Sequence, residues 1–129
     1  GEMEWLRREF ALTNAQFTKI KALHESYRPK CALMCQRITE ANVQVDSLIE
    51  KNQTVTPEIE NTLKRASSVQ GECRQAMLAH IYAVSAQMDP ESSRRYREMM
   101  RPRLVQVGLR STMAISPSRL SHPDTGGTP

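Results

Sequence analysis

Three helix-start signals constrain the fold of this chain more than any other feature. Thr13 followed by Gln16 forms a capping box, in which the hydroxyl accepts the Gln16 amide and the Gln16 side chain reaches back. Thr56 and Asp89 are each followed by Pro and Glu, which gives an N-cap, a proline at the first helical position and an acid in the first turn. The signals predict a short helix near 3–10, long helices near 14–51 and 57–88, and a shorter helix from 90 to about 107.

Composition supports an all-α fold of one domain. Aromatic residues make up only 5% of the 129 residues and there are only 5 glycines, which disfavours a β-sandwich. We expect one helical domain over 1–110 and a disordered C-terminal tail over 111–129, where Pro, Gly, Ser and Thr dominate. No apolar run is long enough to span a membrane, and no signal peptide is visible.

The charge pattern argues against nucleic-acid binding. The formal net charge is only +4, and most of the excess comes from the arginines between positions 94 and 110. A nucleic-acid-binding surface usually has a stronger excess with aromatic residues between the charges. We therefore expect no nucleic-acid partner, and interpret the arginines as a solvated helix face.

Each long helix carries one apolar stripe with spacings of three and four residues. Pro29 lies inside the first long segment and is expected to bend it or end it locally. The stripe of the first long helix contains Phe17, Ile20, His24, Tyr27, Cys31, Cys35, Ile38, Val45 and Leu48 or Ile49. The stripe of the second contains Ile59, Leu63, Ala66, Cys73, Met77, His80, Val84 and Met88.

The short connection near 52–56 makes the two long helices antiparallel neighbours. Facing residues then have numbers that sum to roughly 104–108. The lower value pairs His24 with His80 and Cys31 with Cys73, whereas the upper value pairs Cys35 with Cys73 and His24 with Val84. Sequence leaves the choice between Cys31 and Cys35 open, but either register brings sulfur to face sulfur.

Two layers of candidate metal ligands follow from this geometry. One layer holds His24 and His80, and the other holds Cys31, Cys35, Cys73 and Met77. Imidazole, thiolate and thioether are ligands of copper, zinc, nickel and cobalt ions. Competing interpretations are a histidine pair in a packed core, a gap-filling Met77, and a disulfide from Cys73 to Cys31 or Cys35 that leaves one thiol over. A Cys–His nucleophile lacks an oxyanion hole or a pocket, so we expect no enzyme.

The segment Leu12-Thr13-Asn14-Ala15-Gln16 resembles the LTxxQ motif of a family of small periplasmic helical proteins, and 88–92 resembles a degenerate copy of it. The family includes Spheroplast protein Y-like chaperones, the zinc-resistance-associated protein and cobalt–nickel resistance sensors. The chain is most similar to the last group, the periplasmic heavy-metal-resistance or heavy-metal-sensor proteins, over roughly residues 3–100. The opening segment 4–10, residues 78–82 and the helix 91–100 also fit.

The resemblance implies a hooked four-helix antiparallel hairpin that forms a homodimer. It also implies a periplasmic location, with either a cleaved leader or a membrane anchor before Gly1. In the cobalt–nickel sensors, the positions of two first-helix histidines fall on Met3 and Arg7, and the position of a carboxylate falls on His24. A third-helix His and Met fall on His80 and Val84. Met3, His24 and His80 retain side chains that can bind a metal, whereas Arg7 and Val84 do not.

Two functions are therefore expected from different classes. The first is a metal-binding or metal-sensing domain that links His24 to His80, with Met3 from the opening helix, and signals to a membrane-associated partner. The second is an ATP-independent chaperone that binds unfolded clients and needs no metal.

Overall fold

A computed structural model describes residues 3–115 of the chain, and their side chains as far as residue 106. The helices are α1 (Glu4–Glu9), α2 (Asn14–Lys51), α3 (Pro57–Ser85) and α4 (Pro90–Ile115). The described residues contain no strand, so the all-α prediction is confirmed. None of these helices combines the length and the apolarity that crossing a membrane requires.

The three predicted helix starts are each made by the expected side chain. The Thr13 hydroxyl accepts the Gln16 N–H at 3.1 Å, and Gln16 Oε1 accepts the Thr13 N–H at 2.9 Å. The Thr56 hydroxyl accepts the Ile59 N–H at 3.1 Å, and Asp89 Oδ1 accepts the Ser92 N–H at 2.9 Å. Short polar side chains thus satisfy N–H groups that a helix leaves without an internal partner.

Some helix boundaries differ from the sequence-based expectation. α2 continues through Pro29, so the proline does not end the helix. α3 stops at Ser85, where a short turn over 86–88 leads to the N-cap of α4. α4 continues to Ile115, about two turns beyond the predicted end, and it includes Pro102. The predicted disordered tail lies outside the described residues from position 116 onward.

α2 and α3 form the antiparallel hairpin, and α4 folds back against both of them. The main core lies at the open end of the hairpin, where α1 also packs. α1 is fastened to α4 by an ion pair between Glu9 and Arg95 at 2.8 Å and by an edge-on contact of the Phe10 and Tyr96 rings at 5.8 Å. The buried members of this core are Leu6, Phe10, Leu12, Ile20, Ile81, Val84, Met88 and Tyr96.

The seam between the long helices follows a heptad spacing of alternating three and four residues, which is typical of a coiled coil. On α3 it places Thr62 and Val69 in the buried row, whereas the predicted Leu63 is 45% exposed. On α2 the seam passes through Met34 instead of Cys35, which is exposed. Leu48 is half-buried and Ile49 is exposed, which decides between the two predicted alternatives. The sequence prediction failed where either of two adjacent residues fitted the helical period.

Candidate metal centre

His24 and His80 face each other across the α2–α3 seam. Their ring centroids are 5.4 Å apart, with the planes inclined by 53°. Both side chains are half-buried, and they lie beside the main core at the open end of the hairpin. The predicted juxtaposition of the two histidines is therefore confirmed.

Tyr27 stacks on the His80 ring. Its ring lies 4.2 Å from the His80 ring, and the planes differ by only 7°. Tyr27 follows His24 by one short turn of α2, so one helix face presents both rings to His80. Together, His24 and Tyr27 restrict the orientation of the His80 imidazole.

The surroundings of His80 favour its neutral imidazole, which is the form that binds a metal. Burial, followed by the neighbouring His24, lowers the pKa of His80 from its ordinary value, because both disfavour its positively charged form. Its Nε2 atom is buried and makes no hydrogen bond. A buried imidazole nitrogen without a hydrogen bond costs stability, unless it binds a ligand such as a metal ion.

A surface hollow at the open end of the hairpin lies beside His24. It is lined by Met3, Lys21, His24, Glu25 and Arg28. Two predicted ligands therefore border the same hollow: His24 from α2, and Met3 from the position directly before α1. Glu25 brings a carboxylate that the sequence prediction did not include, because adjacent positions of a helix do not normally share a face.

The thiol layer lies further along the seam. Cys73 is 1% exposed and packs with Ile38, Val69 and Met34. Burial raises the pKa of the Cys73 thiol, and a negative charge on Cys35 or Cys31 raises it further. The sequence left open whether Cys31 or Cys35 faces Cys73, and both affect the pKa of its thiol. No disulfide joins the three cysteines in the structure.

Tyr27 joins the two layers. Burial, followed by charges on the Cys31 and Cys73 thiols, raises the pKa of Tyr27 above its usual range. Its hydroxyl is buried beside Cys31 and makes no hydrogen bond of normal geometry. The tyrosine therefore has its ring on the imidazole side and its hydroxyl on the sulfur side.

The remaining positions taken from the resemblance have structural roles. Arg7 lies over the Phe17 ring at 5.0 Å and donates a hydrogen bond to Asn14, and Val84 is completely buried. Met77, a predicted ligand, packs against the main core, and so does Met3. Within the part of the chain that the structure describes, no three His, Cys, Asp or Glu side chains lie close enough to hold one ion.

Comparison with known proteins gives one match. A family model described as heavy-metal resistance matches residues 1–95, and the chain belongs to this family. The resemblance found in the sequence is thereby confirmed. Neither the curated proteins nor the solved structures contain a match.

Proposed function

We propose that this protein is a periplasmic metal-binding domain that senses a transition-metal ion through His24 and His80. The observation that carries the proposal is the facing imidazole pair, in which the His80 Nε2 atom is buried without a partner. Membership of the heavy-metal-resistance family supports a metal as the ligand.

The spacing of the two rings suits a shared ion. Two imidazoles bound to one tetrahedral ion at about 2.0–2.1 Å have ring centres about 5 Å apart. The observed separation is 5.4 Å, which is close to this spacing, so an ion shared by the two rings requires little movement of the backbone. Copper, zinc, nickel and cobalt all accept imidazole, and the pair does not select among them.

The hollow beside His24 offers one further donor to the same ion, the Met3 thioether. Glu25 also lines the hollow but does not form a three-residue group with the two histidines in the described residues, and Lys21 and Arg28 place positive charge at its wall. A third donor from Met3 would connect the hairpin to the residue that leads into α1. Since α1 is fastened to α4 by Glu9 and Arg95, a change in its position would also reach α4. Such a change transmits a signal only if the two arrangements bind the ion with different affinity.

This proposal includes the partners implied by the family. The protein is proposed to form a homodimer, and a change in the position of α1 is proposed to be transmitted to a membrane-associated signalling protein. The protein is proposed to have no enzymatic activity and no nucleic-acid partner.

Calorimetric titration tests the proposal. Parent protein, His24→Ala, His80→Ala and His122→Ala are titrated with copper(II), zinc, nickel and cobalt. The parent should bind at least one of these ions with a micromolar or lower Kd, and loss of either seam histidine should weaken binding at least about tenfold. His122, the remaining histidine of the sequence, is the matched control and should leave the affinity unchanged. Binding no tighter than millimolar for every ion would refute the proposal.

A chaperone is the second candidate function, and exposed apolar residues favour it. The hairpin exposes Leu33, Val43, Ile49, Val55 and Leu63, each at 45% or more. Such side chains could hold an unfolded client without a metal. If the metal-free protein suppresses aggregation of reduced, unfolding lysozyme and the His24→Ala/His80→Ala variant does so equally well, the chaperone function is supported over sensing.

A further inference from the structure

We propose that the thiol layer is a second metal site, separate from the histidine pair, which takes a soft monovalent cation such as copper(I) or silver(I). Its donors are the Cys73 thiolate, one thiolate from α2 and the neighbouring Met34 thioether. The proposal goes beyond histidine-based sensing and does not depend on it.

The position of Cys73 is bracketed by two contacts across the hairpin. His80 meets His24 two turns away toward the open end, and Glu72 meets Arg37 at 3.2 Å on the other side. Between these contacts, the part of α2 that faces Cys73 carries Cys31, Met34 and Cys35. Met34 packs against Cys73 in the small apolar cluster. Three sulfur-bearing residues of α2 thus lie within about one helical turn of the position opposite Cys73.

The surroundings of this layer exclude hard cations. Cys73 is packed with Ile38 and Val69, and its sequence neighbour Glu72 is engaged by Arg37. Calcium and magnesium require several oxygen donors, which the apolar cluster does not provide. Thiolates and thioethers instead favour soft ions such as copper(I).

The donor number separates monovalent from divalent ions. Structural zinc takes four donors, whereas no three His, Cys, Asp or Glu side chains in the described residues are grouped closely enough for one ion. Copper(I) and silver(I), which are filled-shell ions, are satisfied by two thiolates in a nearly linear arrangement. The thioether of Met34 is a weak third donor on the buried side.

The binding step balances without any redox change. Two thiols each lose a proton to solvent, two metal–sulfur bonds form, and the complex carries one net negative charge. Burial raises the pKa of Cys73, so its thiolate is disfavoured unless a cation accompanies it. Exposed Cys35 gives the ion a route from solvent to the buried thiol.

Competition with a chromophoric copper(I) chelator tests the site in reduced, oxygen-free protein. The parent should bind one copper(I) per chain, and both Cys73→Ser and Cys73→Ala should weaken binding at least 100-fold while circular dichroism shows unchanged helix content. Cys31→Ser and Cys35→Ser, measured separately, identify the α2 thiolate, since one of them should cause a comparable loss. Met34→Leu should weaken binding by less than tenfold.

The His24→Ala/His80→Ala variant distinguishes this site from the histidine pair. It should keep its copper(I) affinity within threefold, and Cys73→Ser should likewise keep the zinc affinity of the parent. Copper(I) binding that survives both Cys73 variants, or that disappears with the two histidines, would overturn the proposal.

Discussion

Tyr27 stacks on His80 with ring centroids 4.2 Å apart and nearly parallel planes, while its hydroxyl lies beside the cysteines. One aromatic side chain is therefore in contact with His80 and lies beside the sulfur layer. A ring packed flat against an imidazole restricts the rotation of that imidazole. In metal sites, residues that contact a ligand without binding the metal commonly orient the ligand in this way. We regard Tyr27 as a positioning residue for His80.

Replacing Tyr27 separates the role of its ring from that of its hydroxyl. Tyr27→Leu removes the stacked ring and should weaken zinc or copper(II) binding about tenfold. Tyr27→Phe keeps the ring that stacks on His80 and should retain the parent affinity. Because the buried hydroxyl makes no hydrogen bond of normal geometry, removing it should leave the free energy of unfolding unchanged or raise it by about 1 kcal/mol. Calorimetry and urea denaturation measure these effects, and equal affinity losses in the two variants would contradict the positioning role.

His80 should make the fold less stable at acidic pH. Its pKa in the folded protein lies below the ordinary 6.5, so the unfolded chain takes up the proton more readily. The contribution to stability is complete above pH 6.5 and is lost as the pH falls through the folded-state pKa.

Thermal unfolding of metal-free protein at pH 7.5 and 5.0 checks this pH dependence. The parent should lose more stability on acidification than His80→Phe, which cannot be protonated. His24 and Tyr27 face His80 and are present in both proteins, so the difference isolates His80. If the parent loses less stability than His80→Phe between pH 7.5 and pH 5.0, the predicted direction of the pH dependence is wrong.

The core at the open end should carry much of the stability. Ile20 is completely buried there, and Ile20→Ala should lower the free energy of unfolding by about 2–5 kcal/mol. Val105 is 68% exposed, and Val105→Ala should change it by less than about 0.5 kcal/mol. Urea denaturation followed by circular dichroism compares the two variants, and a similar loss in both would place the core elsewhere.

The capping box at the start of α2 has a separate test. Thr13→Ala removes the acceptor of the Gln16 N–H and should lower the free energy of unfolding by about 1 kcal/mol. Thr39 is an exposed residue in the middle of the same helix, where alanine has the higher helix propensity. Thr39→Ala should therefore raise the free energy of unfolding by a few tenths of a kcal/mol, and opposite signs for the two variants are the expected result.

The fold was readable from the sequence because its signals are local. A threonine three residues before a glutamine, or a threonine followed directly by a proline, marks a helix start through contacts within a few residues. The short connection then determined the pairing of α2 with α3, and the register brought His24 opposite His80 as expected. The end of α4 has no comparable signal, and its predicted position was too early.

The details of the site depended on tertiary packing that periodicity does not specify. Spacings of three and four allow either Met34 or Cys35 in the seam, and only the contact with α3 selects Met34. The stacking of Tyr27 on His80 and the place of Glu25 in the hollow depend on side-chain rotamers and on the residues ahead of α1. Both residues were visible in the sequence, but no local rule distinguished them.

Nitrogen resonances of selectively labelled histidines test most directly whether one ion joins the two helices. Zinc is added stepwise to metal-free protein, and the side-chain signals of His24, His80 and His122 are followed. Our account predicts that the His24 and His80 signals change together and reach completion at one zinc per chain, while His122 is unaffected. Changes confined to one of the two, or no change at either, would contradict a metal bound between α2 and α3.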